Sequence, residues 1–204
     1  MRFPTDIINH FAGIEPGSPL DALRDQRPEA KDHAGKAFAA LFTPENPGGV
    51  TLEERFALGV FTAALHGADD LAAMYAEGLK DAGAPEKHLR AILQAASSNA
   101  GTGPYGCYPV GPLSAEDVPG PLFAAGGELA AALGSRLTAA LRHTHMLVLH
   151  PRDADAASVQ ALFDAGWSED DAVTISQLAT FLAYQVRLIH GLRVLGRHAK
   201  EAQQ

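Results

Sequence analysis

The side chains of this 204-residue chain that could do chemistry are few and scattered. His66 stands before Gly67 at the end of an apolar stretch. There an imidazole can serve as acid or base, or simply hydrogen-bond at a helix C-terminus where the dipole favours it. Cys107 is the single cysteine, so no internal disulfide, CxxC redox pair or multi-cysteine zinc site can form. It lies in a Gly/Pro-rich connection, without the neighbouring cation or helix N-terminus that lowers a thiol pKa. A one-cysteine peroxidase drawing on an external thiol is the chemistry it would permit. His143-Thr144-His145 suggests a metal site, but on a helix positions i and i+2 point about 200° apart and cannot grip one ion. His143 and His150 share a face two turns apart, with Pro151 disturbing the geometry, so no metal is expected. Gln185 falls on the apolar seam of the last helix, between Leu182 and Leu188. A buried amide must find partners, so it either lines a polar pocket or ties two helices together. The glycines of the connection follow no strand and lead to no GK[ST], so they spell no phosphate loop.

These residues are carried by helices. Alanine is abundant and β-branched residues are sparse, a weak preference for helix. Ser18-Pro19 pairs a cap with a proline at the first helical position. Ala34, Ala37, Phe38 and Leu41 recur at helical steps and predict a helix over 28–42. Thr51-Leu52-Glu53-Glu54 is a capping box opening a helix with Leu52, Phe56, Val60 and Ala63 on one face and Phe61 and Leu65 beside them. So wide a stripe predicts burial on more than one side. Further helices are predicted over 69–82, from Pro85 through Leu93, and from Leu129 to Leu149. Asp153 is expected to cap the next, which buries Val159, Leu162 and Phe163 and ends at Gly166; Ser168 caps the long last helix, with a seam from Leu178 to Leu195. No alternating strand with hairpin signals appears, and the fold class is all-α.

The chain is expected to form one domain: an N-terminal helical segment (1–50), a first core unit (51–98), the connection (99–121) and a second helical unit (122–204). Ala82-Gly83-Ala84-Pro85-Glu86 echoes Ala165-Gly166-Trp167-Ser168-Glu169 at an offset of 83 residues, with Leu79/Leu162 and Ile92/Ile175 in register. This suggests an internally duplicated helical pair. The net charge is −8, without a Lys/Arg-rich block, which argues against nucleic acid and anionic lipid. Apolar runs fall short of the ~20 residues of a membrane span, and no secretory leader is visible. A cytoplasmic protein is expected.

Leu52-Glu53-Glu54-Arg55, Ala64-Leu65-His66-Gly67 and Tyr75-Ala76-Glu77-Gly78-Leu79 resemble the core helical pair of the carboxymuconolactone decarboxylase and alkylhydroperoxidase (AhpD-like) superfamily. Residues 137–195, above all Ala165–Glu169 and Arg187–Leu192, resemble the second half of its two-part, peroxidase-related members. The resemblance covers roughly half the chain. It implies an all-helical fold assembling as a homo-oligomer (dimer, trimer or hexamer), with an alkylhydroperoxidase-type oxidoreductase activity and no bound cofactor. Peroxidase members use two cysteines three positions apart with a glutamate and two histidines. Those positions fall here on Ala68 and Leu71, on Phe56, and on Asp70 and Tyr75. A thiol peroxidase needs a thiolate to attack and usually a second thiol to resolve the sulfenic acid, which Ala68 and Leu71 cannot supply.

The decarboxylase branch works without cysteines or metal, needing a cation for a substrate carboxylate and an acid/base to move a proton to carbon. By resemblance His66 and Tyr75 fall at the reaction centre, and Arg55 or Arg187 is the candidate anion holder. The expectation is therefore a divergent, cofactor-free enzyme on a small organic acid, with His66, Tyr75 and an arginine facing one pocket. The alternatives are a one-cysteine peroxidase using Cys107 and a non-catalytic oligomeric scaffold.

Overall fold

Thr51 and Glu54 close a reciprocal pair of hydrogen bonds: the Glu54 N–H donates to Thr51 Oγ1 at 3.2 Å, and the Thr51 N–H to Glu54 Oε2 at 2.9 Å. This box starts the helix around which the others pack. In the computed structural model, which describes residues 3–201 and side chains to residue 198, the α-helices are α1 (Ile7–Ala12), α2 (Pro19–Asp25), α3 (Pro28–Phe42), α4 (Leu52–Leu65), α5 (Asp69–Asp81), α6 (Glu86–Ser98), α7 (Gly127–Leu149), α8 (Ala156–Asp164) and α9 (Glu169–Glu201). No strand forms among the described residues; a single bridge joins Gly106 and Val118. The fold is all-α.

Ten of the fourteen residues of α4 are buried, because α5, α6, α7 and α9 all pack on it. Two glycines allow α4 and α5 to approach closely. A Cβ on Gly59 would lie 2.6 Å from the Tyr75 ring, and one on Gly78 2.3 Å from the Phe56 ring. α9 is long and apolar enough to cross a membrane by length and composition, and half of that stretch is buried. Its Leu178, Leu182, Ile189 and Leu192 pack in the core, while Val173, Tyr184 and Leu195 are exposed.

The helix bounds at Ser18-Pro19, Pro28, Thr51 and Ser168 fall where their cap and proline signals place them. Elsewhere the structure differs from the sequence-based expectations. The second unit's first helix begins at Gly127, and Gly134, with φ of 76°, breaks it into two segments. α8 is capped by Asp155, not Asp153, because a 3-10 turn over Pro151–Asp153 intervenes and the Asp153 carboxylate is taken by His150 and the Cys107 N–H. Leu52, Val159 and Leu195 lie on exposed faces. α1 carried an unread signal: Asp6 accepts the Asn9 N–H at 2.9 Å, and Ile7 and Ile8 bury against α9.

Arg136 fastens the two halves together. Its guanidinium donates to Glu54 Oε1 (3.0 Å) and to the carbonyls of Gly49 and Gly166 (2.7 Å each), and lies 3.4 Å over the Trp167 ring. Trp167 Nε1 returns a bond to the Arg136 carbonyl at 2.9 Å. Trp167 thus packs at the corner between α8 and α9, held by an arginine on α7.

Candidate functional site

His66 caps the C-terminus of α4, one residue before the left-handed Gly67 that turns the chain into α5. The ring folds back so that Nδ1 donates to the Thr62 carbonyl at 2.9 Å. A carbonyl can only accept, so this contact fixes the tautomer and leaves Nε2 with a lone pair. Nε2 is shielded from solvent and has no hydrogen-bond partner among the described residues. Burial lowers the His66 pKa, only partly opposed by the Thr62 carbonyl, and the Arg187 guanidinium lowers it further. At neutral pH His66 is a neutral imidazole with an unshared basic nitrogen.

His66 borders a groove of about 340 Å³ between the α4–α5 turn and α9. Ala68, Asp70 and Leu71 form one wall, and Arg187, His190 and Arg193 face them from α9. Arg193 is committed: it pairs with Asp70 and donates from Nε to the Phe11 carbonyl at 2.8 Å. Among the described residues Arg187 is held only by a 3.3 Å bond to the Val148 carbonyl, so its guanidinium retains donors for an anion. α9 supplies both arginines and His190 from positions three residues apart, on one face of the helix.

The other expected members are elsewhere. Tyr75 is fully buried between α4 and α9, and its hydroxyl donates to Gln185 Oε1 at 2.6 Å. Burial raises its pKa far above the ordinary phenol value, so it exchanges no proton near neutrality. Tyr75 is not on the His66 groove, and the expected shared pocket of the two does not form. Gln185 is the tie between α5 and α9 that its seam position allowed. Arg55 is not an anion holder either. It is buried, and donates to the carbonyls of Val50 (2.8 Å), Leu41 (2.8 Å) and Pro47 (2.7 Å), closing the loop before α4. Phe56 is core, with ring centroids 5.4 Å from Phe42 and 6.0 Å from Phe3.

Cys107 is exposed on the connection; its N–H donates to Asp153 Oδ1 at 3.0 Å, and the thiol has no place on the His66 groove. His145 on α7 and His150 just past its end clasp the connection. His145 Nε2 donates to the Asn99 carbonyl (3.0 Å), and His150 Nε2 to that of Pro121 (2.9 Å). No group of three or more His, Cys, Asp or Glu side chains suited to a metal occurs among the described residues. Sequence reasoning missed Arg193 and His190; the signal was their spacing from Arg187 on one helical face.

No family model, curated protein or solved structure matches this chain. The functional reading therefore rests on the chain's own residues.

Proposed function

We propose that the chain is a cofactor-free enzyme that binds a small organic acid in the groove between the α4–α5 turn and α9. His66 Nε2 acts as the base that moves a proton at carbon, and Arg187 holds the carboxylate. The observation that carries this is the state of His66: neutral, its tautomer set by Thr62, its free nitrogen beside a weakly held arginine. A general base must be unprotonated at the working pH, with a pKa close to it, and its lone pair must not already be engaged. Entry of the acid displaces Arg187 from the Val148 carbonyl and opens Nε2 to the groove. Of the five positions to which the AhpD-like resemblance assigns a reaction centre, Ala68, Asp70 and Leu71 line this same groove, while Tyr75 and Phe56 lie in the core; the first three are what supports the resemblance here. With Ala68 and Leu71 in place of thiols, the chemistry fits the decarboxylase branch rather than peroxide reduction.

The test is deuterium incorporation at carbon, by mass spectrometry, into a panel of small keto, lactone and unsaturated acids in D₂O. Exchange dependent on the protein, lost in His66→Gln while acid binding persists, is the expected result. Exchange undiminished in His66→Gln, or absent across the panel, refutes the assignment.

A further inference from the structure

A second cavity, of about 330 Å³, lies between α7 and α8 beneath the end of the connection. Its position follows from a comparison of the two helical pairs. In the first, α4 and α5 close on each other through Gly59 against the Tyr75 ring and Gly78 against the Phe56 ring. At the 83-residue offset these four positions are Arg142, Ser158, Ala161 and Ala139, and all four line the cavity. Small side chains stand where the first pair has aromatic rings, so a ring-sized volume between the helices is left unfilled.

Two polar groups border this cavity, His143 buried in its wall and Arg142 on its solvent-exposed rim. His143 is 5% exposed. Ser176 Oγ donates to the Ala172 carbonyl at 2.8 Å, so at 3.0 Å from His143 Nε2 it accepts that nitrogen's hydrogen. Nδ1 is left as a bare acceptor, buried and without a partner among the described residues. A carboxylate has no proton to give it, so His143 senses occupancy of the cavity as a neighbour and not as a direct contact. On the rim, Arg142 makes one long contact, 3.5 Å from NH1 to the Phe123 carbonyl, with its guanidinium 5.5 Å from the Phe123 ring centroid. Its other donors meet no acceptor among the described residues. By contrast, His145, His150, Asp153 and Ser158 are spent on the connection and on the α8 cap.

We propose that this cavity is a second small-molecule site, taking a compact aromatic or alicyclic monocarboxylate with its carboxylate on Arg142 and its ring against Phe123 and Met146. The site is independent of the His66 groove: it uses none of the same residues.

The probe is benzoate, titrated into protein labelled with ¹⁵N-histidine, with neutral benzamide as the isosteric control. Benzoate is expected to shift the His143 ring resonances saturably, and benzamide to bind at least about tenfold more weakly, as loss of a charge-assisted contact implies. Arg142→Gln weakens benzoate by about tenfold, and Ala161→Phe, at an exposed rim position, abolishes the shift by filling the space. Arg187→Gln leaves it unchanged, and this variant separates the site from the His66 groove. No His143 shift up to about 10 mM benzoate, equal affinity for benzamide, or a shift lost only in Arg187→Gln would overturn the proposal.

Discussion

Replacing Tyr75 by phenylalanine removes one oxygen from the interior and leaves the ring packing in place. In the wild type that oxygen donates to Gln185 Oε1 at 2.6 Å across the α5–α9 contact. Without it, the Gln185 carbonyl loses its donor at a position 1% exposed. Leaving a buried acceptor unsatisfied costs about 1–3 kcal/mol. Gln185 also borders a crevice of about 80 Å³ beside α1 and α3, room enough for a water to offer partial compensation. The lower half of that range, about 1–2 kcal/mol, is therefore expected. For a chain of this length it corresponds to a fall in Tm of roughly 2–8 °C. Gln185→Leu leaves the phenol without an acceptor and should cost a similar amount. The double variant removes both polar groups and should be destabilised by clearly less than the sum, with a coupling of about 1 kcal/mol or more. Urea denaturation of the four proteins supplies the cycle. Additive losses, or a neutral Tyr75→Phe, would show that the pair is not the structural tie described above. Acid binding at the His66 groove should be unchanged in Tyr75→Phe; a large loss there would return Tyr75 to the site.

Other outcomes follow from the same geometry. Arg55→Met strips the donors from three backbone carbonyls in the loop before α4 and should cost about 3–5 kcal/mol, read as a lowered urea midpoint. Gly78→Ala places a Cβ 2.3 Å from the Phe56 ring, so overpacking of about 1–3 kcal/mol is expected, and a neutral change would contradict the close α4–α5 approach. His66, His143 and His145 all have pKa values lowered from 6.5 by burial. The unfolded chain therefore binds more protons below that pH, so stability is fully present above about 6.5 and falls as the pH drops. The urea midpoint should decline from pH 8 to pH 5.5, and less steeply in His143→Gln; an equal slope in that variant would remove His143 from the linkage.

Much of the architecture is local in origin, and for that reason legible. The Thr51–Glu54 box, the Ser18-Pro19 start and the glycine stops at Gly83 and Gly166 depend on residues within a turn of one another, so their helix ends fall where the chain alone places them. The breadth of the apolar stripe on α4 likewise foretold its central position. Where a residue competes for partners far along the chain, the same logic fails. Asp153 has the composition of a cap, but His150 and the Cys107 N–H claim its carboxylate. Gly134 reads as a tolerated helical glycine until its positive φ breaks α7.

The candidate site divides along the same line. Sequence by itself determined an all-helical chain, placed His66 at a helix end, and removed the thiol pair by having one cysteine. Which of its charged and polar groups meet was decided only by the tertiary structure. Arg55 and Tyr75, near His66 in sequence, turn into the core because Leu41, Val50 and Gln185 offer the acceptors they need there. Arg187, His190 and Arg193, more than a hundred residues away, are brought opposite His66 by the packing of α9 on α4. Helical periodicity sets which face a side chain occupies, but the element that covers that face is set by long-range packing, and that is information no local pattern contains.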